Sequence, residues 1–225
     1  MEVEFVRSTL AAQFSIAASV VPKNSPKDVL KYVKMVATRD GVFLFATDSE
    51  NGIRIKCNGI LSASPGECLL PVDRMTLILR ESTDETLKVS TLGDTIHVRG
   101  RKSKHKIQAV PPGEFPAFVE PSKDKTLQVT GADFCRITKR VHFAYDDETK
   151  IARFALKSVR IIFSDNKLSS FASDGRMIAT DSCECVTSHS NRDAFTLIQP
   201  TSLPMIWKAF ADVDEAVTVA VSPSN

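Results

Sequence analysis

The feature that most constrains this chain is an internal duplication. Phe171-Ala172-Ser173-Asp174-Gly175-Arg176-Met177-Ile178-Ala179 has an earlier echo in Phe45-Ala46-Thr47-Asp48, followed after a short insertion by Gly52-Ile53-Arg54. Each copy sits in the same series: apolar-periodic segment, paired β-like runs, a strand ending in proline, a second helical segment, a strand. Ser8 to Val20, Pro71, Val72 to Arg80 and Leu87-Lys88-Val89 in the first half match Gly131 to Phe143, Pro200, Thr201 to Phe210 and Val217-Thr218-Val219 in the second. Asp174 follows Asp48 by 126 residues and Pro200 follows Pro71 by 129. A near-constant offset over so many elements predicts two tandem copies of one module, and 225 residues suit two ordinary domains. The expected domains are 1–118 and 119–225, joined by a proline-rich linker at about Pro111 to Lys125.

Strand-like alternation and helical spacing alternate along each copy, giving an α+β fold of antiparallel sheets with two helices per unit. Expected strands are 2–6, 29–37, 42–46, 52–58, 68–70, 86–91, 95–99 and 105–110, then 126–130, 152–164, 168–172, 177–186, 194–198 and 216–221. Residues 62–66 read as a turn. Helices are expected from Ser8-Thr9-Leu10, whose hydroxyls would serve the cap, over Val72 to Glu81, over Gly131 to Ala144, and from Thr201-Ser202-Leu203-Pro204. The second copy stops at Ser222-Pro223-Ser224-Asn225, before the hairpin that closes the first, and so reads as part of a longer protein.

The chain is 43% hydrophobic and 25% charged, with formal net charge +2. That composition suits packed cores and excludes a polybasic tail while permitting a local basic face. No apolar run approaches the ~20 residues of a membrane-spanning helix. Glu2 and Glu4 stand where a secretory leader carries bases, so a cytoplasmic protein is expected. Cys57, Cys68, Cys135, Cys183 and Cys185 form no Cys-x-x-Cys and read as reduced thiols, with Cys183 and Cys185 on one face of a strand.

Signatures of phosphate-binding loops, nucleophile elbows and zinc proteases are missing, and His97, His105, His142 and His189 are scattered. Asp48 and Asp174 read as turn-forming residues rather than paired acids. The acidic stretch Asp146-Asp147-Glu148 reads as a solvated loop. The helices carry more signal. Arg74 and Arg80 lie on the second, Arg136, Lys139 and Arg140 on the third, Lys208 on the fourth; beyond Arg7 the first has none. Were these helices to share a surface, it would meet phosphates without reading sequence; the same charges would equally suit a merely solvated helix face.

The repeat, the run Pro111-Pro112-Gly113-Glu114-Phe115-Pro116, the Ala172-Ser173-Asp174-Gly175-Arg176 turn and the Leu197-Ile198-Gln199-Pro200 helix entry together resemble the bacterial DNA polymerase sliding clamp, the beta subunit of the replicative holoenzyme. The resemblance implies a non-catalytic processivity factor without a cofactor: a ring of two subunits with three similar domains each, of which this chain supplies the first and most of the second. It implies that the helix bases face duplex DNA, together with Lys23, which matches a DNA-contacting position. It implies a pocket for short peptides of polymerases and the clamp loader, half of it on Leu156, Ser173, Gly175, Arg176, Met177 and Ile178. Family members commonly carry Thr-Asp-Gly-His-Arg-Leu at that turn; Ser173 to Ile178 keeps its small, turn-forming and apolar roles and changes the His and Arg. A subunit interface would use Arg74, His105 and Ile107, with His105 where an aromatic is usual. Two other readings stay open: a two-domain trimeric clamp of the archaeal and eukaryotic kind, and a duplicated α+β cytosolic binding protein or hydrolase, which would need a cleft of clustered titratable groups.

Overall fold

The computed structural model describes residues 1–22, 24–118, 126–146, 155–164, 166–185, 187–188, 194–210 and 216–220. They divide into a first unit, Met1–Phe118, and a second, Val119–Asn225.

The first unit runs β1 (Glu2–Val6), α1 (Arg7–Ala18), a 3-10 turn (Asp28–Lys31), β2 (Tyr32–Thr38), β3 (Gly41–Thr47), β4 (Gly52–Lys56), β5 (Ile60–Ser64), β6 (Gly66–Pro71), α2 (Val72–Glu81), β7 (Thr86–Leu92), β8 (Thr95–Arg99) and β9 (Lys104–Gln108). The second runs β10 (Thr126–Thr130), α3 (Gly131–Val141), a 3-10 turn (His142–Ala144), β11 (Val159–Ser164), β12 (Lys167–Ser173), β13 (Ile178–Glu184), β14 (Thr187–Ser188), β15 (Ala194–Ile198), a 3-10 turn (Pro200–Ser202), α4 (Leu203–Phe210) and β16 (Ala216–Ala220).

The sheets repeat the same topology. In the first unit they are ordered β4-β3-β2-β6 and β5-β1-β7-β8-β9; in the second, β13-β12-β11-β15 and β14-β10-β16. Each strand of the second unit thus has its counterpart in the first, and among the described residues only β8 and β9 have none. All pairs are antiparallel, so alternate side chains point to one core. Val33, Met35 and Ala37 of β2 and Val42, Leu44 and Ala46 of β3 are buried, and the apolar stripes of α1 (Leu10, Phe14, Ala17) and α2 (Met75, Ile78, Leu79) close over them. Each such large apolar side chain contributes about 1.5–3 kcal/mol on burial. In the second unit Phe134, Ile137 and Val141 of α3 pack with Val159, Ile161, Leu168 and Leu203. α1 packs on α2, and α3 on α4.

Several expectations are corrected. Residues 60–64 form a strand, not a turn: β5 is an exposed edge strand, ordered by pairing to β1 (Val3↔Ala63) rather than by its own apolar pattern. β2 starts three residues late because Asp28–Lys31 closes as a 3-10 turn, with Lys31 bonded to Asp28 at 2.7 Å. α1 starts at Arg7, with Val6 as N-cap and no side-chain cap, so Ser8 and Thr9 lie inside its first turn. α3 tightens to 3-10 geometry at His142. α4 is preceded by the Pro200–Ser202 turn, which has no side-chain cap. Residues 155–157 are a turn, and β11 begins only at Val159. Cys185 lies just beyond β13: Cys183 is buried and Cys185 half-buried, and all five thiols are free.

Candidate functional site

The duplicated turns share one side-chain hydrogen-bond pattern. In the first, Ser49 N donates to Thr47 Oγ1 at 3.0 Å, Thr47 Oγ1 donates to Asn51 O at 2.7 Å, and Asp48 Oδ1 accepts from Glu50 N at 2.8 Å and Asn51 N at 2.6 Å. In the second, Gly175 N donates to Ser173 Oγ at 3.1 Å, Ser173 Oγ donates to Met177 O at 2.7 Å, and Asp174 Oδ1 accepts from Arg176 N and Met177 N at 2.8 Å each. Both aspartates are turn-formers. The backbone N–H groups of Met177 and Arg176 hold the Asp174 carboxyl below its ordinary pKa. The counterpart of Gly175 (φ +87°) is Ser49 (φ +84°), not Gly52. The turns are therefore of equal length without an insertion, and Gly52, which pairs with Thr47, matches Ile178, which pairs with Ser173.

The second turn brings five of the six expected peptide-pocket residues together on one hairpin. Leu156 joins them: its Cδ1 lies 4.0 Å from where a Cβ on Gly175 would stand. Met177 and Ile178 are 48% and 76% exposed, an apolar pair left largely open to solvent.

On α3, Thr130 caps the helix by accepting from Asp133 N at 3.1 Å, and Phe134, Ile137 and Val141 face the core. The opposite side carries the bases, but they are not equivalent. Arg136 lies half-buried between two carboxylates, Nη1 2.8 Å from Asp181 Oδ2 and Nη2 3.1 Å from Asp133 Oδ1, and donates to Ser182 O at 3.4 Å. Arg140 is more exposed and reaches the same Asp181 at 3.5 Å. The Lys139 ammonium lies 5.7 Å from the Trp207 ring centroid, and Trp207 Nε1 donates to Thr138 Oγ1 at 2.9 Å, fastening α4 to α3. Lys208 is exposed on α4. On α2, Arg80 pairs with Glu81 at 2.8 Å on the surface. Lys23 lies outside the described residues, as do Asp147 and Glu148.

Arg74, His105 and Ile107 line one groove of about 620 Å³ between α2 and β9, together with Leu77 and Ile78. β9 is the last strand of its sheet, so one of its edges has no partner within the unit. Among the described residues no three His, Cys, Asp or Glu are placed to hold a metal ion, and no helix is long and apolar enough to cross a membrane. Sequence reading missed Asp133 and Asp181 as the counter-charges of Arg136, since they come from another position of the helix and from a distant strand. It also passed over Arg99 to Lys106, five bases in eight residues, although that run is plain in the sequence.

Residues 1–119 match the family described as DNA polymerase III beta subunit, N-terminal domain. Curated relatives are beta sliding clamps: that of Pseudomonas putida is 22% identical over 187 residues, 83% of this chain and 50% of the relative, and that of Staphylococcus epidermidis 22% identical, covering 97% and 59%. The chain therefore spans half to three-fifths of the length of these relatives. The fold is similar to the Bacillus subtilis DNA polymerase sliding clamp (TM-score 0.89, 18% identity, 99% of this chain and 60% of that one). It is also similar to the beta subunit from the DNA polymerase of Streptococcus pyogenes (TM-score 0.88, 20% identity, 100% and 60%).

Proposed function

The chain belongs to the DNA polymerase III beta subunit family, and on that premise we propose that it acts as part of a sliding clamp, a non-catalytic processivity factor that encircles duplex DNA in the cytoplasm and tethers the replicative polymerase. The observation that carries this reading is the family match over 1–119 joined to a second unit of the same topology. A ring retains DNA by topology, so its inner contacts need only be weak and indifferent to sequence, which scattered Lys and Arg supply.

In this reading Arg74, Arg80, Lys139, Arg140, Lys208 and Lys23 meet phosphates. Arg136 contributes least, because Asp133 and Asp181 already match its charge. Short peptides of polymerase and clamp-loader subunits dock on Leu156 and the Ser173–Ile178 turn, with Met177 and Ile178 as the apolar contact. The Arg74–His105–Ile107 groove and the open edge of β9 serve the contact between subunits of a homodimeric ring. The polar His105 there makes that contact less apolar than an aromatic would.

Two experiments test this. Charge reversal at Lys139 and Arg140 is expected to weaken DNA association several-fold at low salt; unchanged association would remove them from the DNA-facing side. A peptide carrying a polymerase clamp-binding motif is expected to shift the NMR resonances of Gly175 to Ile178; shifts elsewhere would move the pocket.

A further inference from the structure

The segment that leaves the first unit crosses the outer face of its four-stranded sheet. Val42, Leu44 and Ala46 of β3 face the core, so Phe43 and Phe45 lie on the opposite side. Register puts Lys34, Leu69 and Arg54 on that side with Phe45. A 3-10 turn over Pro112–Glu114 packs on β6, and Leu69 of β6 is fully buried although it points away from the core. Glu114 N donates to Pro111 O at 3.3 Å and Phe115 N to Pro112 O at 3.2 Å, and the Phe115 side chain is buried. This end of the segment is an anchor.

Phe118 is fastened differently. Its ring meets Phe45 edge-on, with centroids 5.5 Å apart and planes at 66°. It also lies against the bare Cα of Gly52, where a Cβ would stand 2.9 Å from Phe118 Cε2, closer than side-chain carbons approach. Gly52 is not among the glycines at positive φ, so its backbone does not call for glycine. What the missing side chain supplies is room for the Phe118 ring. The matching position of the second unit carries the side chain of Ile178, so the socket belongs to the first copy alone. The tie is narrow. Phe118 is half-buried, Ala117 is exposed, and among the described residues no backbone hydrogen bond holds Pro116, Ala117 or Phe118 to the sheet. Segments held by few buried contacts open at little cost.

We propose that Phe118, seated between Phe45 and Gly52, is a releasable clasp on the tether between the two units. The clasp lies wholly within the first unit, Met1–Phe118, and is independent of the clamp reading. Closed, it ends the fixed chain at Phe118. Open, the fixed chain ends at Phe115, whose anchor remains. Release adds Pro116 to Phe118 to the tether, at most about 10 Å at about 3.3 Å per residue. One aromatic side chain thus sets how far the second unit can reach from the first.

Gly52→Ala tests the socket without altering the ring. The only close neighbour of the added methyl is Phe118, since Ala46 O, at 3.8 Å, is at ordinary contact. Limited chymotrypsin digestion, read by mass, is expected to cut after Phe118 about tenfold faster in Gly52→Ala than in the wild type, because cleavage tracks the open population. Hydrogen exchange of the β2 and β3 amides is expected to stay unchanged, which separates release from unfolding of the sheet. Phe118→Ala approaches from the other side and serves if Gly52→Ala disturbs the strand: the Gly52 NMR resonances are expected to move as the ring leaves. In both variants the radius of gyration from small-angle X-ray scattering is expected to rise. Unchanged cleavage after Phe118 in a folded Gly52→Ala chain, or unmoved Gly52 resonances in Phe118→Ala, overturns the clasp. Cleavage that rises together with exchange in β3 overturns it too, since Gly52 would then serve the strand. A radius of gyration unchanged in both variants overturns its control of the tether.

Discussion

Asp181→Asn should move stability and DNA affinity in opposite directions, because Asp181 is the shared counter-charge of Arg136 and Arg140. Its carboxylate, on a side chain 18% exposed, lies 2.8 Å from the half-buried Arg136 and 3.5 Å from the 65% exposed Arg140. Exposed pairs contribute about 0.2–1 kcal/mol, while breaking a fully buried one costs about 3–5 kcal/mol. This pair lies between, Asn still accepts one hydrogen bond, and Asp133 still holds the other side of the guanidinium. The expected loss is about 1–2 kcal/mol. Near DNA the sign reverses. Removing the Asp181 carboxylate removes its repulsion of a phosphate held by Arg140, about 0.6 kcal/mol at roughly 7 Å in water, about two- to threefold at low salt and less as salt screens it. The assay is ready-made: Trp207 is the chain's single tryptophan and packs on α3, so its fluorescence in urea reports the second unit, and duplex binding is read by anisotropy. A variant as stable as the parent would refute the half-buried pair. One that binds DNA more weakly would remove Arg140 from the DNA-facing side.

Other outcomes follow from the same geometry. Gly175→Ala should destabilise the second unit by about 1 kcal/mol, the cost of a left-handed backbone for a residue with a Cβ, since the nearest atom, Leu156 Cδ1 at 4.0 Å, leaves room for the methyl; an unaltered urea midpoint would deny the +87° φ. Asp84, through its Ser103 hydrogen bond, and Asp174, through the Met177 and Arg176 amides, have depressed folded pKa values. Their stabilisation is therefore present above the unfolded Asp value of about 3.9 and is lost as pH falls through the lower folded values. Urea midpoints should fall on acidification below about pH 4, and less so in Asp84→Asn; an equal fall in that variant would take Asp84 out of the account. Burial pushes Cys57 and Cys68 up to about 12 and Cys183 to about 11, so the half-buried Cys185 should be alkylated first in the folded chain at pH 8, by peptide mapping, and prior labelling of Cys57 would mean that its strand end is open.

The duplication was legible because apolar alternation and proline punctuation recur in order, and pairing turned those runs into two copies of one topology. β5 was not legible: Ser62-Ala63-Ser64 has no buried face and becomes a strand only because β1 offers it an edge. The glycine alignment of the two turns misled, since Ser49 adopts the left-handed conformation that the later copy gives to Gly175. Among the site residues, the hairpin Ser173 to Ile178 could be read from local sequence, as its geometry is set by its own Ser and Asp side chains. The state of Arg136 could not, because Asp181 reaches it from a strand 45 residues away. Helical spacing tells which side chains share a face but not which charges are already matched.

Retention on DNA tests the central claim most directly. The protein, placed by a clamp loader on nicked circular duplex, is followed by gel filtration at a salt concentration that suppresses ordinary electrostatic binding, before and after a single restriction cut. Co-elution with the circle and release on linearisation is the result expected of a ring held by topology. Equal retention on circular and linear DNA, or none on either, would contradict it.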